Sequence, residues 1–188
     1  MQSISYSILH YFAPHQRVGN FSYVILRTIS FYLLYRKADV VLKQNGEAIE
    51  YKSDIDDFLA KMMIFINEKA SDELIADCRT MFLRAMNNSY RIMGEDAYRF
   101  AAYEDESGKS RKRPINMPLF EMLAYIFSDD CVTNNSQITR DAINKFKDTY
   151  DYQKMLMSNV DSSTNVSERF STAKKLLEQI KHDTANID

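Results

Sequence analysis

A chain of 188 residues with 45% apolar and 27% charged side chains is long enough for one well-buried domain and matches the averages of soluble globular proteins. Its formal net charge of −2 excludes a global attraction to nucleic acid or to an anionic membrane, so any such binding has to come from a local patch. Two cysteines without a CxxC pair speak against a disulfide scaffold and a zinc ribbon, and four glycines and three prolines leave too few turns for an all-β sandwich.

Residues 1–16 are aromatic and apolar without clear periodicity, are interrupted by Pro14, and read as a lead-in segment. The first strong helix is predicted from Asn20, a capping residue, to about Lys43. Ile25, Ile29 and Leu33 share one face, and Leu26 and Leu34 widen it. So broad an apolar stripe belongs at the centre of a bundle. The apolar run Phe21–Tyr35 falls short of the roughly 20 residues a bilayer requires and carries Arg27 near its middle. No signal peptide is visible, so the default location is cytoplasmic.

Asn45-Gly46 marks a turn. Ser53 is predicted to cap a second helix, with Asp54, Asp56 and Asp57 in its first turn and a stripe of Phe58, Met62, Phe65 and Ile66. Ser71-Asp72-Glu73 opens a third, with Ile75, Cys78, Phe82, Met86 and Tyr90 on successive turns and Gly94 at its end. One more turn at "EDAYRF" leads to a polar loop from Glu104 to Arg113. Asn116 then caps a helix that admits Pro118 in its first turn and buries Leu119, Phe120, Leu123, Ile126 and Phe127. A helix from about Gln137 to Tyr150 follows. The last begins near Ser163 to Ser167 and carries Val166, Phe170, Leu177 and Ile180. The expectation is all-α: a single helical bundle of about six helices spanning residues 1–188.

No local motif carries chemistry. The glycines at 19, 46, 94 and 108 stand too far apart for a phosphate-cradling loop, and there is no GxSxG elbow. His10, His15 and His182 form neither an HExxH nor a His-Asn-His arrangement. Asp54, Asp56 and Asp57 with Lys61 suit a helix start with an i,i+4 pair better than a metal nuclease, whose ligands of that type sit on strands. Cys78 falls in an apolar stripe and reads as core. No catalytic residue, metal site or cofactor is therefore predicted. Arg27 needs a carboxylate, because an unpaired buried charge is very costly; Asp57, Glu121 and Asp141 are the candidates. Lys109, Arg111, Lys112 and Arg113 could contact phosphates, with Tyr98, Phe100 and Tyr103 near for stacking, but Glu104-Asp105-Glu106 nearly cancels them.

"MFLRAMNNSYRIMGEDAYRF" followed by "SRKRPINMPLFEML" resembles the helical region of GmrSD-type restriction and phage-defence proteins, where it follows a ParB/sulfiredoxin-like domain. The matching positions are Met93-Gly94-Glu95-Asp96-Ala97-Tyr98-Arg99, Lys112-Arg113-Pro114-Ile115-Asn116 and Leu119-Phe120-Glu121. Arg17, Leu26 and Arg27 fit an upstream helix of the family, although Asn20 and Ser22 stand where carboxylates are usual. "TNVSERF" is similar to its C-terminal helix opening, so the resemblance runs over residues 17–170, with 171–188 completing the last helix. It implies structural roles for Arg27, Gly94, Glu95, Arg99, Pro114, Asn116, Phe120 and Glu121, and leaves Lys109, Arg111 and Lys112 in a variable stretch.

The family's Asp-Gly-Gln-Gln-Arg motif and its His-Asn-His nuclease half do not occur here. The resemblance thus implies a non-catalytic interaction domain that packs on a ParB-like catalytic domain or subunit, with DNA a second partner and no membrane or cofactor. It leaves open a homo-oligomer, and whether the chain is a fragment, a split-gene product or a stand-alone protein. The alternative is a stand-alone nucleic-acid-binding module using the 109–113 loop.

Overall fold

Helix starts in this chain are set by short polar side chains that accept an otherwise unpaired backbone N–H. Ser71 accepts from the Leu74 amide, Asn116 from Leu119, Asn135 from Ile138 and Ser162 from Asn165. The computed structural model describes residues 18–149 and 156–186. The lead-in segment, Arg17, His10 and His15 lie outside them. The described helices are α1 Val18–Arg36, α2 Ala38–Asn45, α3 Ile55–Glu68, α4 Asp72–Met93, α5 Met117–Phe127, α6 Ser136–Asp148 and α7 Ser163–Ala185. Single 3₁₀ turns occupy Gly94–Asp96 and Asp130–Thr133.

The chain is mostly helical rather than wholly so. Within the expected polar loop, β1 Tyr103–Glu104 pairs antiparallel with β2 Ser110–Arg111, Tyr103 opposite Arg111 and Glu104 opposite Ser110. The Asp105 carboxylate organises the turn by accepting from the Ser107 and Lys109 amides, each at 3.0 Å. Gly108 supplies the positive φ of 75° that closes it.

The expected first helix divides in two. The chain bends at Lys37, whose ψ of 22° departs from helical geometry, and α2 then turns Val41 into the core. Charges hold the bend on both sides: Lys37 meets Asp77 at 2.8 Å, and Arg36 meets Asp129 at 3.2 Å. Ser53 is not the cap of α3. It sits at φ 63°, and Asp54 accepts from the Asp57 amide instead. The Ser53 hydroxyl reaches across to the Ser163 amide at 2.7 Å.

The helix buried all round is α5, not α1. Every residue from Pro118 to Phe127 is buried, and α4, α7 and α1 pack around it. Stacked and tilted rings from α1, α3 and α7 pack beside it: Phe31 lies 5.2 Å from Phe58 and 5.3 Å from Phe170, and Tyr35 lies 4.2 Å from Phe170. The stripe expected on α4 holds at Cys78, Phe82 and Met86 but not at its ends, where Ile75 and Tyr90 are exposed. From Cys78 onward the stripe runs in four-residue steps, each about 40° past a full turn, so that Tyr90 rotates out of the core. Leu74, Met81, Ala85 and Ile92 complete the buried face.

Candidate functional site

Three helices meet at a buried ion cluster. Arg27 enters from the middle of α1, Glu121 from the first turns of α5 and Arg169 from α7. Each oxygen of the Glu121 carboxylate accepts from one guanidinium: Oε1 from Arg27 Nε, and Oε2 from Arg169 Nη2 at 2.7 Å. The side chains of Glu121 and Arg169 are wholly enclosed and that of Arg27 nearly so. Asp161, ahead of α7, takes the outer nitrogens of Arg27 and thereby balances the second positive charge. Tyr23 accepts from Arg27 Nη1 at 3.1 Å, and Arg169 Nη1 donates to the Val160 carbonyl at 2.9 Å.

The electrostatics follow from this enclosure. Burial disfavours a charged Arg27, but Glu121 and the hydrogen bonds to Asp161, Glu121 and Tyr23 outweigh it and hold its pKa above the ordinary value. Burial pushes the Glu121 carboxyl upward, while Arg169 and then Arg27 pull it back. Tyr51, whose hydroxyl donates to the Asp161 carbonyl, is pushed up to about 12 by burial and by the Asp161 charge. Of the three carboxylates expected for Arg27, the fold selects Glu121. Asp57 is occupied with Lys61 at 2.6 Å, and Asp141 accepts from Gln137. Arg169 and Asp161 were not foreseen. The available signal was a second arginine inside the apolar row Val166, Phe170 and Ala173.

The basic residues of the 109–113 stretch sit on and after the hairpin, and most are engaged locally. Arg111 Nε donates to Asp105 at 2.7 Å, and Lys112 Nζ reaches Glu95 at 3.1 Å and Asp96 at 3.6 Å. Arg113 Nε donates to the Ala101 carbonyl at 3.1 Å and its guanidinium lies 5.1 Å from the Tyr103 ring centroid. Lys109 is exposed beside the turn and makes no ion pair among the described residues. Hydrogen bonds from Ser107 and then from Arg111 hold the Asp105 carboxyl down at about 2. Of the predicted stacking residues, only Tyr103 is solvent-facing; Tyr98 and Phe100 are buried.

The remaining motif residues brace the same region. Gly94 ends α4 at φ 65°. Arg99 donates to the Arg113 carbonyl, and the Asn116 amide donates to the Tyr98 carbonyl at 3.0 Å. Asn116 caps α5 through its oxygen and donates through its nitrogen to the Leu156 carbonyl at 3.1 Å. Phe120 packs 4.2 Å from the Tyr98 ring. Pro114 lies in the connector between β2 and α5.

The acidic start of α3 is used in capping and in the Asp57–Lys61 pair. Cys78 lies in the core, and burial pushes its thiol up to about 12. Among the described residues no three His, Cys, Asp or Glu side chains form a group that could hold a metal ion, and no helix is long and apolar enough to cross a membrane. His182 is exposed near the end of α7, beside Asp183 at 3.3 Å. Compared with family models, with curated proteins and with solved structures, the chain matches none.

Proposed function

We propose that the chain is a non-catalytic helical interaction domain of a GmrSD-like restriction or anti-phage defence system, packing on a ParB-like catalytic domain or subunit. The observation that carries this reading is the mutual contact of the motif residues. Arg27 pairs with Glu121, Glu95 with Lys112, Arg99 with the Arg113 carbonyl, and Asn116 with Tyr98. Residues spread over much of the sequence are thus spent joining the chain to itself. That supports a rigid scaffold whose chemistry is supplied elsewhere.

A second reading, a stand-alone nucleic-acid-binding module, draws on Lys109 and on the exposed Tyr103–Arg113 stack. The acidic partners of Arg111 and Lys112 weaken it, since each must be displaced before a phosphate is gripped. One titration separates the two. The purified chain is assayed for nucleotide and DNA turnover with magnesium, and for duplex and single-strand binding across a salt series. The scaffold reading expects no turnover and a shallow salt dependence. A log–log slope steeper than about −2, lost when Arg111, Lys112 and Arg113 are replaced together by alanine, moves the function to the binding module.

A further inference from the structure

The segment 156–162, leading into α7, lies over the ion cluster and is held to the rest of the fold almost wholly by polar contacts. Leu156 is its one fully buried apolar side chain, while Met157, Ser158 and Asn159 face solvent. Its anchors are Asn116 to the Leu156 carbonyl, Arg169 to the Val160 carbonyl, Tyr51 to the Asp161 carbonyl, and Arg27 to the Asp161 carboxylate. Segments with few apolar contacts and solvent-replaceable hydrogen bonds open locally at free energies well below that of global unfolding.

The two carboxylates on Arg27 are not equivalent. Glu121 is enclosed and takes the inner nitrogen, Nε. Asp161 is 35% exposed and takes the outer pair, Nη1 and Nη2. Tyr23 stands on that outer side as well; it accepts from Nη1, which leaves its own hydroxyl proton to donate. Without Asp161 the enclosed set of two guanidiniums and one carboxylate would carry an uncompensated positive charge, and the position so exposed is shaped for a carboxylate because one already fills it.

We infer that residues 156–162 form a strap latched by Asp161, and that opening of the strap hands the outer face of Arg27 to the carboxylate of an acidic partner segment. This inference stands apart from the defence-system reading, since it needs only the cluster and the strap. The strap would act as an internal competitor: a partner carboxylate binds only the open form, and so raises its population.

Native-state hydrogen exchange on the whole chain tests it. The reporters are the Ser162 amide, bonded to the Asn159 carbonyl at 2.9 Å, and the Ser163 amide, bonded to the Ser53 hydroxyl at 2.7 Å; amides within α5 report global opening. The wild-type reporters should exchange at least about tenfold faster than the α5 amides. Asp161→Asn, which keeps the shape and removes the charge, should speed the reporters by about tenfold or more and leave α5 unchanged. Acetate exchanged for chloride at fixed ionic strength should speed the wild-type reporters further. Reporters that exchange at the α5 rate, or an Asp161→Asn variant that speeds both sets equally, would overturn the strap. Reporters indifferent to acetate would overturn the carboxylate assignment, and a response to phosphate without one to acetate would do the same.

Discussion

Replacing Glu121 by glutamine separates the charge of the ion cluster from its shape. The amide fills the same volume at the start of α5 but leaves Arg27 and Arg169, both enclosed, with Asp161 as the one remaining carboxylate among the described residues. Two charge-assisted hydrogen bonds are weakened, and the cluster gains an uncompensated positive charge. Breaking a buried pair of this kind costs about 3–5 kcal/mol. Globular domains are stable by about 5–15 kcal/mol, so the loss is about a fifth of the total or more. For a chain of this size it corresponds to a fall in Tm of about 10 °C. Urea unfolding followed by helical circular dichroism reads the change as a lower midpoint at unchanged m-value. A companion variant, Arg27→Met with Glu121→Leu and Arg169→Met, removes the buried charges together. It should lie within about 2 kcal/mol of wild type, because well-packed apolar groups replace buried ion clusters at little loss. A loss below about 1 kcal/mol for Glu121→Gln, or a triple variant as unstable as the single one, would refute the reasoning.

Three further outcomes follow from single side chains. Asn116→Ala removes both the α5 cap and the bond to the Leu156 carbonyl, and should cost about 2 kcal/mol in urea unfolding; Asn116→Asp keeps the cap and should recover about half of that. The Asp105 carboxyl should titrate at about 2 in an NMR pH series read at the Ser107 and Lys109 amides, below its ordinary 3.8. Because its pKa is lowered by folding, its support of the hairpin is complete above pH 3.8 and is lost as the pH falls through about 2; a midpoint near the ordinary value would contradict the turn geometry. Cys78, with its thiol pushed up to about 12, should resist a thiol reagent at neutral pH in the native protein and react fully once unfolded; rapid native labelling would place it outside the core.

The readable features of this fold were the local ones. Ser71 and Asn116 declare their helices because a cap involves three or four consecutive residues, and Pro118 fits where no donor is needed. The partner of Arg27 was legible as a requirement: a lone arginine in an apolar stripe must find a carboxylate, and Glu121 was among the few available. Arg169 and Asp161 escaped because a charged residue near a helix start looks solvent-exposed until the tertiary packing is known. The break at Lys37 carries no glycine or proline, and the carboxylates that pair beside it, Asp77 and Asp129, lie about forty and ninety positions away in sequence. The hairpin was overlooked although Gly108 and Asp105 signalled a tight turn; strands of two residues carry no alternation to detect.

The basic stretch at 109–113 shows why charge density alone misleads. The sequence sets Glu104-Asp105-Glu106 against its cations, and the structure pairs Arg111 with Asp105 of that run but Lys112 with Glu95 and Asp96. Their acidic partners lie both within the loop and at the end of α4, and only the closure of the connector brings the two groups together.

The proposed function is tested most directly by isolating the chain from its own cells, with nuclease treatment, and weighing the intact native species by mass spectrometry. A stoichiometric complex with a ParB-like protein, or this sequence within a longer chain carrying such a domain, is the result expected of a helical accessory to that enzyme. A lone 22.0 kDa species, released only by the nuclease, would contradict it.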